Sequence, residues 1–322
     1  MIDCHIHYSK GAGEERFFEV IKKHNMKAVA LQCIPKGDRI PVEKDAFEFK
    51  RNSPVPVYVF GGLDRNIFRM PKENMGPALA NEIDRLMAMG CSGIKMLEGK
   101  PSVRKNWPVP DFDDPLWEAY WSRMEKDKIP LLFHVNDPEE FWDETKVSEF
   151  AKKAGWYYDS SFINNEEQYR QILAVLKNHP ALRITFAHFF FLSKQLDRLG
   201  KILDAFPNVR IDITPGMELY LNLSDSIGES RLFFNRYQDR IMFGTDIGSR
   251  SIIEVEEIPL SIEESDSKIQ LIRNFITAQE DYGLKVDDAY VKGVSTRTMH
   301  SLNLSGEIQK RIFEDNFLEF VK

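Results

Sequence analysis

The sequence predicts an α/β protein, a (β/α)8 TIM barrel forming a single domain over residues 1–322 with long loops at its C-terminal mouth. Three observations predict it. Short apolar blocks alternate with helix-period blocks eight times along the chain, which is the pattern of a parallel sheet covered on both faces. Eight strands close well into a ring and leave no exposed edge. The main competitor, an open doubly wound sheet, needs a glycine-rich phosphate turn after its first strand. Lys10-Gly11-Ala12-Gly13 is too short for one and lacks the third glycine.

The chain opens on Met1-Ile2-Asp3-Cys4-His5-Ile6-His7, where Ile2, Cys4 and Ile6 alternate with Asp3, His5 and His7. Period-2 alternation marks a strand, so both imidazoles, and Asp3 with them, are expected on one face. Glu14 to Asn25 reads as helix through Phe17, Phe18, Val20 and Ile21, and Lys27–Cys33 and Pro56–Leu63 read as strands two and three. Pro77–Met89 carries Leu79, Ile83, Leu86 and Met87 on one helical stripe and stops at Gly90. Strand four is Cys91–Leu97, followed by helix Leu116–Lys126; strand five is Ile129–Val135, followed by helix Glu166–Asn178. Strand six, Leu182–His188, precedes helix Ser193–Phe206, and strand seven, Val209–Thr214, precedes helix Ser226–Tyr237. Strand eight is Arg240–Thr245, and helical blocks near Ser267–Tyr282 and Glu307–Val321 end the chain. Three connections after strands, Glu98–Asp114, Asn136–Asn165 and Ile247–Asp266, exceed ordinary loop length and are expected to shape access to the mouth. The acidic run from Glu254 to Ser267 reads as solvated surface.

Composition narrows the function classes. Hydrophobic residues at 43% and charged residues at 29% suit an ordinary globular core. A net charge of −7 without a basic stripe argues against nucleic-acid binding. The apolar runs, such as those flanking His188, are far too short for a bilayer, and no basic segment followed by an apolar run opens the chain, so neither membrane nor signal peptide is expected. The three cysteines, Cys4, Cys33 and Cys91, lie among apolar neighbours without CxxC spacing, which reads as reduced thiols in a cytoplasmic protein.

Of seven histidines, His5, His7, His134 and His188 all lie at strand ends. The C-terminal ends of barrel strands converge on one mouth, so these four can meet despite their separation in sequence. Strand eight ends Gly244-Thr245-Asp246 at the same rim, and strand four carries Lys95. Paired imidazoles suit a borderline cation such as zinc.

In these residues the chain resembles the amidohydrolase superfamily, specifically the amidohydrolase-related branch with aminocarboxymuconate-semialdehyde-type decarboxylases and dicarboxylate lactonases. The resemblance runs through Asp3-Cys4-His5-Ile6-His7 for D-x-H-x-H, Gly93-Ile94-Lys95 for G-x-K, then His134, Ala187-His188, Gly244-Thr245-Asp246 and the closing Ile312 to Phe317. It implies a metal-dependent hydrolase on a TIM barrel. Two departures stand out: Phe189-Phe190-Phe191 follow His188 where relatives often carry small residues, and Ile247-Gly248-Ser249 follow Asp246 where many have an aromatic residue and proline.

On this reading His5, His7 and His134 supply nitrogen ligands and Asp246 a carboxylate, with His188 either a further ligand or the group that polarises a substrate carbonyl. The metal is zinc, or another divalent ion such as manganese or iron. Metal-activated water attacks and Asp246 shuttles its proton. Lys95 is a carbamate bridging two ions in binuclear relatives and a free amine in mononuclear ones; the amine is the reading taken here. Asp3 is expected to be a buried, hydrogen-bonded structural carboxylate.

Substrate candidates are Arg65, Arg69, Arg104, Trp107 and Arg250, with Trp142 and Tyr157, all in loops at the mouth. Guanidinium and aromatic groups together suit a small, carboxylate-bearing molecule, or else pin long loops down. The expected function is hydrolysis of a small lactone, amide or related carbonyl compound; the alternative is non-oxidative decarboxylation of an unsaturated or aromatic carboxylate. Oligomeric state is not legible, and a homo-oligomer stays open.

Overall fold

Strand β1, Ile2–Ile6, starts a ring that continues through β2 (Ala28–Gln32), β3 (Val57–Gly62), β4 (Gly93–Gly99), β5 (Leu131–Val135), β6 (Ile184–Phe186), β7 (Val209–Asp212) and β8 (Ile241–Met242). The computed structural model describes residues 1–35, 43–250, 258–285 and 296–322. All neighbouring strands pair in parallel and in sequence order. β8 is short, and the ring shuts just beyond it. Cys4 N donates to Phe243 O (3.0 Å), Asp246 N to His5 O (2.8 Å) and His7 N to Ile247 O (2.9 Å). The (β/α)8 architecture expected from the sequence is the one observed.

The ring strands are buried almost throughout, which is why most of these segments read as apolar runs. Small residues line the lumen: Ile2, Cys4, Ala28, Ala30 and Ala187 pack with Phe60, Leu132 and Met242. Phe317 and Phe320, from the chain's last turns, plug this floor; Phe320 stacks on Phe60 at 6.2 Å and Phe317 meets Tyr58 edge-on at 5.1 Å. Burying each ring is worth about 2 kcal/mol. Asn316 fixes the plug through its amide, which donates to the carbonyls of Gln238 and Ile241, both at 2.7 Å.

Helices α1 (Glu14–Lys23), α2 (Glu43–Asn52), α3 (Lys72–Ala88), α4 (Pro101–Asn106), α5 (Glu118–Lys126), α6 (Glu149–Lys153), α7 (Asn165–Asn178), α8 (Leu196–Ala205), α9 (Met217–Asp225), α10 (Ile227–Arg236) and α11 (Ile262–Thr277) pack outside the ring. α2 escapes the sequence reading because charge dominates it and its buried stripe is narrow, Ala46 and Phe49 beside a buried Glu43. The helix expected at 267–282 starts earlier, at a Ser261 cap that accepts from Glu264 N (3.1 Å), and ends by Thr277. Tyr282–Lys285 is instead β9, paired antiparallel with β10, Thr296–Met299. Its alternation is too short to register as a strand. The closing helix is broken by a π-helical turn at Arg311–Asp315. Part of the acidic run lies outside the described residues; of the remainder, Asp266 is tied to Lys23 and, at 2.6 Å, to His24. Among the described residues no helix is long and apolar enough to cross a membrane.

Candidate metal centre

The two N-terminal imidazoles reach the lumen through a fault in β1. Its register against β2 slips between Asp3 and Ile6. Ile2 and Cys4 pack in the lumen while Ile6 packs outside with Val29 and Leu31, so a β-bulge breaks the alternation and turns His5 inward. Asp3 therefore does not share the face of the imidazoles, contrary to simple period-2 counting. The bulge frees backbone groups, and side chains take them up: Asp3 Oδ1 accepts from His5 N (3.1 Å), and Gln32 Nε2 donates to Cys4 O (2.8 Å). Asp3 also accepts from Thr245 N (3.2 Å) and Thr245 Oγ1 (2.6 Å), lashing β1 to the exit of β8. Burial pushes its carboxyl up to about 7 against the pull of these donors.

Hydrogen bonding decides the tautomers. His7 Nδ1 lies 2.7 Å from Gln32 O, and a carbonyl only accepts, so Nδ1 carries the proton. His5 Nδ1 lies 2.9 Å from Asp212 Oδ2, another acceptor. Both Nε2 lone pairs are thereby left facing the lumen, the arrangement of a metal-ligating histidine. Asp246 Oδ1 sits 3.1 Å from His7 Nε2 and 3.8 Å from His5 Nε2. Acceptors this close require a proton or a cation among them. The donor atoms of His5, His7 and Asp246 all lie within 4.8 Å of one another, a set able to hold a metal ion.

The backbone after β8 is shaped to deliver Asp246. Its φ is +56°, its carbonyl accepts from Ser249 Oγ (2.9 Å) and Lys268 Nζ (3.3 Å), and Gly248 follows at φ +79°. A Cβ on Gly248 would lie 1.9 Å from His7 O, so this close approach requires glycine. Burial pushes the Asp246 carboxyl up, but a proton on the facing imidazole nitrogen, through the His7 hydrogen bond and the positive charge beside it, outweighs burial and holds the group well below the usual carboxylate range. Burial, reinforced by Lys95, holds the His5 imidazole far below its ordinary value.

Lys95, on β4, places Nζ 3.0 Å from His5 Nε2. Burial lowers its amine to about 8, against the pull of Asp212 and Asp246. His134 and His188 stand beside the set without joining it: their rings are 5.0 Å apart, and His188 is 5.5 Å from His5. His134 Nε2 faces Asp137 Oδ1 at 3.3 Å, and Asp137 is itself held by Lys100 (2.7 Å) and the Tyr158 hydroxyl. Burial and the neighbouring His134 push His188 down to about 3, so it is neutral at neutral pH.

His188 begins a left-handed turn. His188, Phe189, Phe190 and Phe191 have φ between +53° and +59°, each costing a non-glycine residue about 1–2 kcal/mol. Packing compensates: Phe190 stacks on Phe186 at 3.9 Å, its carbonyl accepts from Tyr169 OH (3.0 Å), and Phe189 is fully buried. Phe191, half-buried, stacks on His188 at 5.2 Å and lies 5.3 Å from His134.

The expected substrate residues divide. Arg65 is buried, its Nε donates to Glu98 (3.1 Å), and among the described residues its Nη2 has no hydrogen-bond partner. Arg104 instead pins the loop after β4, donating to Gln171 (2.8 Å) and Asp111 (2.7 Å). Arg69 stacks on buried Trp107 at 3.9 Å, Trp142 donates to Ile163 O (3.1 Å), and exposed Arg250 lies 3.5 Å from Glu264. Sequence reasoning missed Asp212 and Asp137. The signals were available: a carboxylate inside the apolar strand Val209–Thr214, and another three residues past His134.

A profile of the amidohydrolase family matches residues 68–320, a span that takes in Lys95, His134, His188 and Asp246 but stops short of β1. No curated protein matches the chain. A Staphylococcus aureus structure provisionally described as an amidohydrolase superposes with a TM-score of 0.60 at 13% identity, covering 100% of this chain and 99% of its own. A dihydroxybenzoic acid decarboxylase from Polaromonas sp., with bound manganese and the inhibitor 2-nitroresorcinol, gives 0.55 at 14% identity over 99% and 96% of the two chains. A provisionally described 2-pyrone-4,6-dicarboxylic acid hydrolase from Pseudomonas putida gives 0.53 at 11% identity, over 99% and 96%.

Proposed function

The chain belongs to the amidohydrolase family, and from that premise we propose that it is a metal-dependent decarboxylase of a small aromatic or unsaturated carboxylate. The observation that carries the reading is the acceptor set, His5 Nε2, His7 Nε2 and Asp246 Oδ1, gathered with a buried amine 3.0 Å from one member. These three residues would hold zinc, manganese or iron, with His134 and His188 beside them. When bound, the cation supplies Lewis acidity toward a substrate oxygen.

The remaining steps belong to the chain's own side chains. Phe191 offers a flat apolar wall to an unsaturated ring, and the Nη2 of Arg65, without a partner among the described residues, suits a carboxylate. His188, neutral, hydrogen-bonds a substrate hydroxyl or carbonyl. Lys95, with its amine lowered to about 8, still holds a proton at neutral pH. The bond between ring carbon and carboxylate breaks, its electron pair stays on the carbon, and the Lys95 ammonium supplies the proton that closes the new C–H bond. Carbon dioxide leaves, and solvent reprotonates the amine.

Hydrolysis of a small lactone or amide is the second reading. It is favoured by the ionised Asp246, a base poised at the same point. The discriminating experiment supplies the purified protein with Mn2+ or Zn2+ and a panel of hydroxybenzoates, unsaturated dicarboxylates and lactones. Release of carbon dioxide is expected; ring opening of lactones with no decarboxylation of any acid selects the hydrolase.

A further inference from the structure

We propose that Asp212 is a positioning residue that fixes the tautomer of His5 and, with the same carboxylate, anchors the left-handed turn carrying His188. The proposal rests on the reading of His5 as a metal ligand. Asp212, at the end of β7, has no exposed surface. Among the described residues it forms no ion pair with lysine or arginine, and the side chain it faces is the neutral His5 ring. An isolated buried carboxylate is costly unless donors surround it, and here they come from three places. Oδ2 takes His5 Nδ1 at 2.9 Å, and Oδ1 takes the amides of His188 (2.8 Å) and Thr214 (3.1 Å).

The two oxygens do different work. Oδ1 satisfies the backbone amide at which the left-handed turn begins, and so ties the conformation of β6's exit to β7. Oδ2 faces a ring nitrogen, and because a carboxylate only accepts, His5 keeps its proton on Nδ1 and its lone pair on Nε2. Thr214 Oγ1, 3.2 Å from the same nitrogen, donates or accepts as its hydroxyl rotates and imposes no tautomer.

Replacing Asp212 by Asn separates these roles. The amide oxygen still accepts from His188 and Thr214, while its NH2 group confronts His5 Nδ1 and drives the ring proton toward Nε2, against the Lys95 amine that faces that nitrogen, and so weakens ligation through it. For D212N we expect a metal affinity 10- to 100-fold below wild type in chelator competition with Zn2+ or Mn2+, and little change in the melting temperature of the metal-free protein. Nitrogen NMR should show the His5 proton moved from Nδ1 to Nε2. T214V should change metal affinity less than about threefold, since Asp212, the obligatory acceptor, still holds the His5 Nδ1 proton. Wild-type affinity in D212N, or a wild-type His5 protonated on Nε2, overturns the proposal. If D212N does not fold, the wild-type spectrum alone decides. Wild-type protein that binds no metal at all instead removes the ligand reading on which the proposal stands.

Discussion

Asp246 Oδ1 stands 3.1 Å from His7 Nε2, while the far nitrogen of that ring is committed to the carbonyl of Gln32 at 2.7 Å. The pair, from the exits of β1 and β8, belongs to the set able to hold a metal ion. Substituting Asn for Asp246 or Gln for His7 should therefore lower metal affinity by more than about 100-fold, beyond what loss of a supporting partner costs. Elemental analysis after dialysis reads this directly; unchanged stoichiometry in both variants would remove the centre.

Lys95 separates two versions of that centre. As a free amine it is a proton source, so Lys95→Met should keep one ion per chain and lose about 10²- to 10⁴-fold in kcat. A fall from two ions to one in the same variant would instead identify a bridging carbamate.

Phe190 and Phe191 share a backbone conformation but not an environment. Phe190→Ala removes a fully buried ring and should cost about 3–5 kcal/mol in urea unfolding. Phe191→Gly loses only a half-buried ring and relieves about 1 kcal/mol of left-handed strain, so its melting temperature should stay near wild type. Equal destabilisation of both would mean that the turn is not held by burial as described.

Asp3 provides a pH signature. Its carboxyl is raised from 3.8 to about 7 in the folded chain, so the folded state binds the proton more tightly than the unfolded one. That contribution is complete below about pH 4 and is lost as pH rises through 7, a swing of up to about 4 kcal/mol. Metal-free wild type should lose stability relative to D3N across this window. A flat difference between the two unfolding curves would contradict it.

Arg65 and Arg104 should part company. Arg65→Met is expected to weaken binding of a hydroxybenzoate by about 10-fold or more, since a charge-assisted contact is worth about 1.5–3 kcal/mol. Arg104→Met should leave that binding unchanged and lower the melting temperature, because Gln171 and Asp111 lose their donor. Calorimetry and thermal scans on both variants tell the two roles apart.

The ring of strands was legible because most of its strands are buried on both faces and written as short, largely apolar runs, while β1 shows itself by alternation. His5, His7 and Asp246 were legible because polar residues at strand ends point to one mouth. Asp3 was misplaced because a one-residue bulge reverses strand parity, and alternation read from sequence has no way to register it. Asp212 was passed over because its role depends on a ring nitrogen 207 positions away. The left-handed turn was hidden by its own residues: three phenylalanines give no hint of positive φ, and only the packing around Phe186 and Tyr169 makes that conformation tenable.

β1 and the exit of β8 meet along one seam, held by three backbone hydrogen bonds and by Asp3 gripping Thr245. The candidate ligands stand astride that seam, His5 and His7 on one lip and Asp246 on the other. An ion seated there would act as a rivet through the hoop at its last-closed joint. Metal supply would then set the lifetime of the folded chain as well as its reactivity, with starvation for the ion loosening the barrel where its first and final strands join.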